Sequence, residues 1–170
     1  MNLLTQWGFT SDSWKGQRGE YWVLAQFILL LGFALVPVYP QGLARGLPAA
    51  VRYGLWGVAG AIALFALVLL VKGLIDLGHS LTPLPYPRGD GELVTTGVYS
   101  IVRHSLYSGL ILGTLALSLA QFSLSHLAVA LVLAVVLNAK ASQEEVWLGD
   151  RYPAYAAYRQ RVKKLVPWVY

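Results

Sequence analysis

The stretch that decides the fold is YSGLILGTLALSLAQFSLSHLAVALVLAVVLNA, residues 107–139. It holds two apolar runs, 107–122 and 124–139, which are separated by the single residue Ser123. A connection this short leaves room for no more than a tight turn between two antiparallel helices. The stretch therefore predicts a helical hairpin with its turn at residues 123–125.

Two further apolar runs lie earlier in the chain, at residues 21–39 and 53–71, and approach the length that crosses about 30 Å of hydrocarbon. The 170 residues are 56% hydrophobic and 12% charged, with a mean hydropathy of +0.56. This composition is too apolar for a water-soluble domain of this size. No small-residue cleavage pattern follows the first run, so it is not a signal peptide. We predict an all-α integral membrane bundle of about four transmembrane helices.

Basic residues outnumber acidic residues, 13 to 8, and are unevenly distributed about the four predicted spans. Only Arg45 and Arg52 fall on one side, whereas the others share a side with both termini and the loop between the second and third spans. The positive-inside rule places that side in the cytoplasm, as in a prokaryotic inner membrane. The basic tail fits anionic lipid headgroups rather than nucleic acid. Because the chain has no cysteine, a disulfide framework and a thiolate metal site are excluded.

The C-terminal segment predicts an amphipathic helix that Pro153 opens. Tyr155, Tyr158, Val162 and Leu165 recur at helical spacing, and the basic residues fall largely elsewhere. A basic amphipathic helix lies in the membrane interface, so we expect this one on the cytoplasmic leaflet.

A long connection joins the second and third predicted spans. It contains Pro83, Pro85 and Pro87, followed by a Gly-Asp-Gly turn at residues 89–91. These prolines favour extended backbone, and the apolar residues around them are not typical of disorder. Long ordered loops in compact proteins are usually functional. We predict that this Pro-rich loop is a lid or a pocket wall.

Polar residues converge at the predicted cytoplasmic end of the bundle. Arg103 and His104 stand directly before the third span, Tyr107 follows one turn later, and Glu144 and Glu145 come just after the fourth span. Because these two spans are antiparallel neighbours, the five residues are expected to lie close together. A guanidinium pairs bidentately with a carboxylate, and a glutamate accepts from an ammonium or from ribose hydroxyls. S-adenosylmethionine carries a carboxylate, an ammonium and ribose hydroxyls. Other nucleotide-containing ligands share several of these groups.

Each polar residue also has a plain structural explanation. Arg103 at a helix entry can snorkel to lipid phosphate, and Glu144 can form an ordinary i,i+4 pair with Lys140. A metal site is not predicted, because the three histidines have no ligand spacing and His126 is expected at the opposite interface. The residues alone therefore leave two explanations open: the polar residues form a ligand site, or they only mark the point where a helix enters the membrane.

Small residues mark the second and third spans. Gly54, Gly57 and Gly60 line one side of the second span, and Gly109 with Gly113 forms a GxxxG pattern in the third. Such residues let helix backbones approach closely in lipid, which is our interpretation of the second span. For Gly109, which lies beside the polar residues, we expect that the missing side chain leaves room for a ligand.

Several ordered motifs resemble a known superfamily. The runs LGHSLTPLPYP, GELVTTGVYSIVRHSLYSG and DRYPAYAAYRQRVKKLVP, with the Glu-Glu pair before the last of them, are similar to the isoprenylcysteine carboxyl methyltransferase and phospholipid methyltransferase superfamily of membrane enzymes. In that family an RHPxYxG pattern and a later glutamate pair form the S-adenosylmethionine site. The resemblance implies cofactor-binding roles for Arg103, His104, Tyr107, Gly109, Glu144 and Glu145.

The same resemblance implies catalytic roles for Arg103, His104 and Glu144. Ser105 replaces the family's proline; a serine also suits a helix cap or first turn, so we expect the helix to begin in the same place. We predict a single membrane domain over residues 1–170, with two spans in 1–72 and a methyltransferase-like core with the interfacial helix in 73–170.

The implied reaction is in-line methyl transfer from S-adenosylmethionine to a lipophilic acceptor, first of all the carboxylate of an isoprenylcysteine or a related lipid. A phospholipid amine or a small thiol is the alternative acceptor. The ending RYPAYAAYRQRVKKLVPWVY also resembles the tail of membrane sterol reductases, which use NADPH. A non-catalytic four-span scaffold remains a third possibility.

Overall fold

The structure is a computed structural model and describes residues 13–170. Within this range it is all-helical and contains no strand, as the sequence predicts. Its five α-helices are α1 (Glu20–Leu35), α2 (Ala49–Leu77), α3 (Ser105–Ala120), α4 (Leu124–Arg151) and α5 (Tyr155–Arg161). Short 3₁₀ turns occur at Ser13–Lys15, Leu43–Gly46, Gly78–Ser80 and Gly97–Ser100.

The four longer helices form an antiparallel bundle in which α2 packs on α3, α3 on α4, and α4 on α1. The predicted hairpin is confirmed, but its turn lies at residues 121–123 instead of 123–125, because Leu124 and Ser125 already belong to α4. Ser123 begins α4 as its N-cap and accepts a hydrogen bond from the His126 N–H at 3.3 Å. His126 lies in the first turn of α4, where it is buried at 5% exposure with its ring edge against Phe33.

Two of the described helical segments are long and apolar enough to cross a membrane, Ala49–Ser80 and Leu124–Arg151. Helices α1 and α3 have 16 residues each, which is about 24 Å and less than the hydrocarbon thickness. Of the about four predicted transmembrane helices, two are thus candidate spans by length and composition, and four spans are not confirmed. Helix α1 is shorter than its apolar run because Val36 precedes Pro37 and adopts extended backbone.

The outer surface of the bundle is strongly apolar. Leu35 is 73% exposed and Val135 is 69% exposed. Contiguous apolar surface of this kind is rare on soluble monomers and is typical of a surface that lipid covers. The outward-facing residues on α1, α2 and α4 also include Leu24, Phe27, Ile28, Leu31, Leu64, Leu67, Val71, Leu131 and Val132.

The start of the long connection differs from the prediction, because α2 continues to Leu77. The division that we expected after residue 72, between the two-span part and the core of the single domain, therefore falls inside a helix. Lys72 and Asp76 form an i,i+4 ion pair of 2.9 Å in the last turns of α2, and Asp76 also accepts from the Val98 N–H at 2.9 Å. These two contacts stabilise the added helical turn.

Glycine brings α2 and α3 into close contact. A Cβ at Gly109 would lie 2.6 Å from Leu70 Cγ and 3.0 Å from the Ala66 carbonyl oxygen. The space that we expected for a ligand is thus filled by α2, and that expectation is wrong. Nothing within 4 Å among the described residues meets a Cβ built at the three glycines of α2, Gly54, Gly57 and Gly60.

Replacing Gly109 with alanine is expected to lower the free energy of unfolding by about 1–3 kcal/mol, because the added methyl group forces the two helices apart. Gly113→Ala is the matched control on the same helix. Its Cβ would meet Ala66 Cβ at 3.9 Å, an ordinary contact distance. Unfolding in detergent is expected to show a larger loss in free energy of unfolding for Gly109→Ala than for Gly113→Ala. Equal losses would contradict the close packing of α2 on α3 at Gly109.

Helix α5 is shorter than the predicted amphipathic helix. It ends at Arg161 after 7 residues, so Val162 and Leu165 lie in the tail that follows it. Tyr155 and Tyr158 are 2% and 3% exposed and pack into the protein instead of facing lipid. The prediction of a long interfacial helix is therefore wrong for the residues after Arg161.

Candidate functional site

Arg103 lies directly before α3, and its side chain reaches across to α4. Its Nε and Nη2 atoms donate to Glu145 Oε1 at 3.0 and 2.7 Å. The two side chains are 7% and 6% exposed, so this is a buried, charge-assisted ion pair. The burial excludes the explanation that Arg103 snorkels to lipid phosphate. The sequence suggested Glu144 as a neighbour of Arg103, and the structure pairs it with Glu145.

The remaining terminal nitrogen of Arg103 binds the C-terminal segment. Nη1 donates to the Arg159 carbonyl at 3.0 Å and also to the Val162 carbonyl. Carbonyls at the end of a helix lack intrahelical partners, so Arg103 satisfies them and ends α5. The Arg103 N–H donates to the Lys163 carbonyl at 2.8 Å. Its guanidinium is therefore occupied by the protein, in contrast to the expected pairing with a ligand carboxylate.

The His104 ring lies between two glutamates. Nε2 is 3.1 Å from Glu145 Oε1, and Nδ1 is 3.7 Å from Glu144 Oε2. The ring stacks on Tyr107 with a centroid distance of 5.4 Å and an interplanar angle of 5°. The Tyr107 hydroxyl donates to Glu144 Oε2 at 2.7 Å. Five predicted site residues thus form one polar cluster: Arg103, His104, Tyr107, Glu144 and Glu145.

The two glutamates of the polar cluster have different surroundings. Glu145 is buried by its contacts with Arg103 and His104, and Arg159 Nε approaches its Oε2 at 3.6 Å. The Glu144 side chain is 24% exposed and lines two cavities. Glu145 therefore holds the protein together, whereas Glu144 faces space that a ligand can enter.

Two cavities of different character meet at the polar cluster. An apolar cavity of about 370 Å³ lies among α1 to α4, and a cavity of about 100 Å³ lies under the Pro-rich loop. Tyr99, Arg103 and Glu144 line both of them. The first has the volume of a small-molecule pocket, which is roughly 300–1,000 Å³. Pro83 lines this apolar cavity and Pro85 lines the smaller one, which confirms that the loop is a pocket wall.

Tyrosines that the sequence assigned to a lipid-facing helix line the smaller cavity. The Tyr158 hydroxyl donates to the Tyr99 carbonyl at 2.5 Å. The buried Tyr155 hydroxyl makes no hydrogen bond of normal geometry within residues 13–170. Burial raises the pKa of Tyr155, and burial together with the negative charge of Glu144 raises that of Tyr99. Both phenols therefore remain protonated at neutral pH. The Tyr99 hydroxyl donates to the Gly73 carbonyl at 3.2 Å, which leaves the Tyr155 hydroxyl as the donor available to a ligand.

Lys140 is a further cavity residue whose position the sequence did not predict. Its side chain is buried, and Nζ donates to Gln26 Oε1 at 2.8 Å and to the Pro83 carbonyl at 3.1 Å. Nζ also lies 5.0 Å from the centroid of the Tyr107 ring. The ammonium thus joins α1 and the loop to α4 instead of pairing with Glu144. A charged residue inside an apolar run was the available signal.

Ser105 is the first residue of α3, as the sequence predicts. Its hydroxyl is fully buried and donates to the Leu69 carbonyl of α2 at 2.8 Å. The serine thus connects two helices instead of capping its own.

Ser105→Ala is expected to lower the free energy of unfolding by about 1 kcal/mol, since one buried interhelical hydrogen bond is lost. Ser100→Ala is the control, because Ser100 is exposed and its hydroxyl donates to the nearby Gly97 carbonyl. The comparison uses thermal unfolding in detergent. A loss no larger than that of Ser100→Ala would show that the Ser105 hydrogen bond is not stabilising.

The fold places a polar cluster, the candidate ligand site, at one end of a helical bundle, two of whose helices are long and apolar enough to cross a membrane. The family model for phospholipid methyltransferase matches residues 55–154, from α2 to the start of α5. Over 160 residues the chain is 31% identical to the cobalt-zinc-cadmium resistance protein CzcN of Cupriavidus metallidurans, with 79% of this chain and 73% of that protein covered. The protein belongs to the phospholipid methyltransferase family, which confirms the superfamily resemblance.

Proposed function

We propose that this protein transfers a methyl group from S-adenosylmethionine to a lipophilic acceptor. The observation that carries the proposal is the meeting of an apolar cavity and a smaller cavity under the Pro-rich loop at Tyr99, Arg103 and Glu144. A methyltransferase of this kind must hold a polar cofactor and an apolar acceptor side by side. Membership of a methyltransferase family supports the reaction class.

The residues present fit the cofactor in two respects. The carboxylate of Glu144 has capacity to accept from an ammonium or a ribose hydroxyl in addition to Tyr107. The Tyr155 hydroxyl lines the smaller cavity as a buried donor that lacks a partner among residues 13–170. This cavity, at about 100 Å³, is smaller than the cofactor. Binding therefore requires an outward movement of the Pro-rich loop.

S-adenosylmethionine supplies, when bound, an electrophilic methyl group on a positively charged sulfur. In our proposal Glu144 and the faces of the nearby tyrosines stabilise that charge. The walls of the apolar cavity and the loop exclude water and orient the acceptor, and proximity of this kind lowers a barrier by up to about 7–11 kcal/mol. The protein itself forms no covalent bond.

The other predicted site residues mainly hold the helices and the site in place. Arg103 and Glu145 fix the start of α3 against α4 and the tail, and Gly109 sets the distance between α2 and α3. His104 is held at 3.1 Å from Glu145, beside the acceptor cavity. It is placed to take a proton from an amine or a thiol, whereas a carboxylate acceptor needs no base.

The carboxylate of an isoprenylcysteine or a related lipid is our first choice of acceptor. The buried ammonium of Lys140 borders the apolar cavity and favours an anionic group there. A phospholipid amine is the second candidate, and the family's description favours it. We place the site on the cytoplasmic face of a prokaryotic inner membrane, because the basic residues concentrate at this end of the bundle.

Cofactor titration tests the reaction class. Calorimetric titration of the detergent-purified protein is expected to give saturable binding of S-adenosylmethionine and none of NADPH. Binding of NADPH alone would favour a sterol-type reductase, and binding of neither would favour a non-catalytic scaffold. Either result would overturn the proposal.

A further inference from the structure

A second pair of cavities lies on another face of α4, away from Lys140 and Glu144. An apolar groove of about 380 Å³ runs between α3, α4 and the C-terminal tail. A polar cavity of about 470 Å³ lies between the end of α4 and the tail. Tyr170 lines both, so the two cavities adjoin. The proposed methyl transfer does not use either of them.

The two cavities follow one continuous face of α4. Leu131, Val135 and Asn138 line the apolar groove, and Ser142 and Val146 line the polar cavity. Steps of three and four residues place these side chains in one row along the helix. The row is about 22 Å long. It changes from apolar to polar in the direction of the cytoplasmic end, as a membrane lipid does.

The polar cavity carries an excess of positive charge. Arg103 and Glu145 neutralise each other in it, which leaves Arg159, Lys163 and Lys164. The Lys164 ammonium is held by Asn138 and Ser142 and contributes charge from a fixed position. The side chains of Arg159 and Lys163 are exposed and can reach a bound group. An anion therefore complements this cavity.

The apolar groove identifies the anion as part of a lipid. It is bordered by Leu112, Leu131 and Leu165, and Val135 at its edge is 69% exposed on the lipid-facing surface. A soluble anion would gain nothing from such a groove, whereas an acyl chain buries apolar area in it. The Tyr170 ring lies where the two cavities join, a position that suits an amphipathic side chain at the membrane interface.

We propose that these two cavities form a binding site for an anionic phospholipid. Its phosphate contacts Arg159 and Lys163, and one acyl chain lies along α4 in the groove. Basic pockets between membrane helices on the cytoplasmic side bind anionic headgroups in this way. The site lies on the opposite face of α4 from the acceptor cavity, although Arg103 borders both. It rests only on the membrane location of the bundle, not on the proposed reaction.

The charge of the site is tested by native mass spectrometry of the full chain in neutral detergent, titrated with phosphatidylglycerol, phosphatidylcholine or inorganic phosphate. Phosphatidylglycerol is expected to bind about tenfold more tightly than phosphatidylcholine. Lys163→Glu should weaken phosphatidylglycerol binding by about tenfold or more, since each basic residue near an anionic headgroup contributes a factor of about five. Arg161→Glu is the matched control, with the same charge change outside both cavities.

The groove is tested by filling it. Ala134→Phe places a ring in the groove and is expected to weaken phosphatidylglycerol binding, whereas Val132→Phe, at an exposed position outside the lining, should not. Ala134→Leu provides a smaller filling if the ring prevents folding. Equal binding of the two phospholipids, or equal losses for Lys163→Glu and Arg161→Glu, would overturn the proposal. So would tight binding of inorganic phosphate with no effect of the groove variants.

Discussion

Replacing Glu145 with alanine is expected to lower the free energy of unfolding by about 3–5 kcal/mol, the cost of removing one partner from a buried ion pair. The guanidinium of Arg103 would remain buried without its counter-charge, and the His104 ring would lose its nearest carboxylate. Unfolding of purified protein in detergent, followed by circular dichroism, measures the loss.

Glu92→Ala is the control for this prediction, because Glu92 lies in the Pro-rich loop outside the polar cluster. A loss below about 1 kcal/mol is expected there, as for most substitutions away from buried networks. If Glu145→Ala were as stable as Glu92→Ala, the ion pair with Arg103 would not hold α4 and the tail together.

Replacing Glu144 with glutamine is expected to leave the protein folded and to weaken S-adenosylmethionine binding by about 10- to 100-fold. The glutamine keeps the size of the side chain and loses the charge that the proposed site uses, and a hydrogen bond to a charged group contributes about 1.5–3 kcal/mol. Calorimetric titration with the cofactor measures the change in affinity, and methyl transfer should fall with it.

Tyr107→Phe is a milder substitution at the same site, since it removes only the hydroxyl that donates to Glu144 at 2.7 Å. A loss of affinity of about fivefold is expected, from one hydrogen bond of about 1 kcal/mol. Unchanged cofactor affinity in a folded Glu144→Gln protein would remove Glu144 from the proposed site. The contrast with Glu145→Ala separates a residue that binds ligand from its neighbour that stabilises the fold.

The helical hairpin and the meeting of its polar residues were predictable from the sequence. Two apolar runs joined by a few residues allow little except an antiparallel pair, which brings Arg103 near the glutamates. The choice between Glu144 and Glu145 was not predictable. Adjacent residues on a helix point about 100° apart, so the partner depends on a rotation of α4 that tertiary packing sets.

The C-terminal segment shows a second limit of sequence reasoning. Helical periodicity identified Tyr155 and Tyr158 as one apolar face, yet a face that contacts protein and one that contacts lipid have the same pattern. The C-terminal end of α5 was also not predictable from the local sequence. The side chain that satisfies its carbonyls belongs to Arg103, which is 56 residues away from Arg159.

The helix lengths show a third limit. Hydropathy located the four apolar helices but overestimated α1, whose apolar run continues past Val36, the residue that Pro37 holds in extended backbone. The contacts of Lys140 with Gln26 and Pro83 could not be predicted from the sequence either, because they join three segments that are distant in the chain.

Transfer of a labelled methyl group is the most direct test of the central claim. Detergent-purified protein is incubated with methyl-labelled S-adenosylmethionine and extracted native lipids, beside the Glu144→Gln variant as the matched control. Label is expected in a lipid-extractable product with the wild-type protein, and Glu144→Gln is expected to lose that label. Absence of labelled lipid with folded wild-type protein, or equal labelling by both proteins, would contradict it.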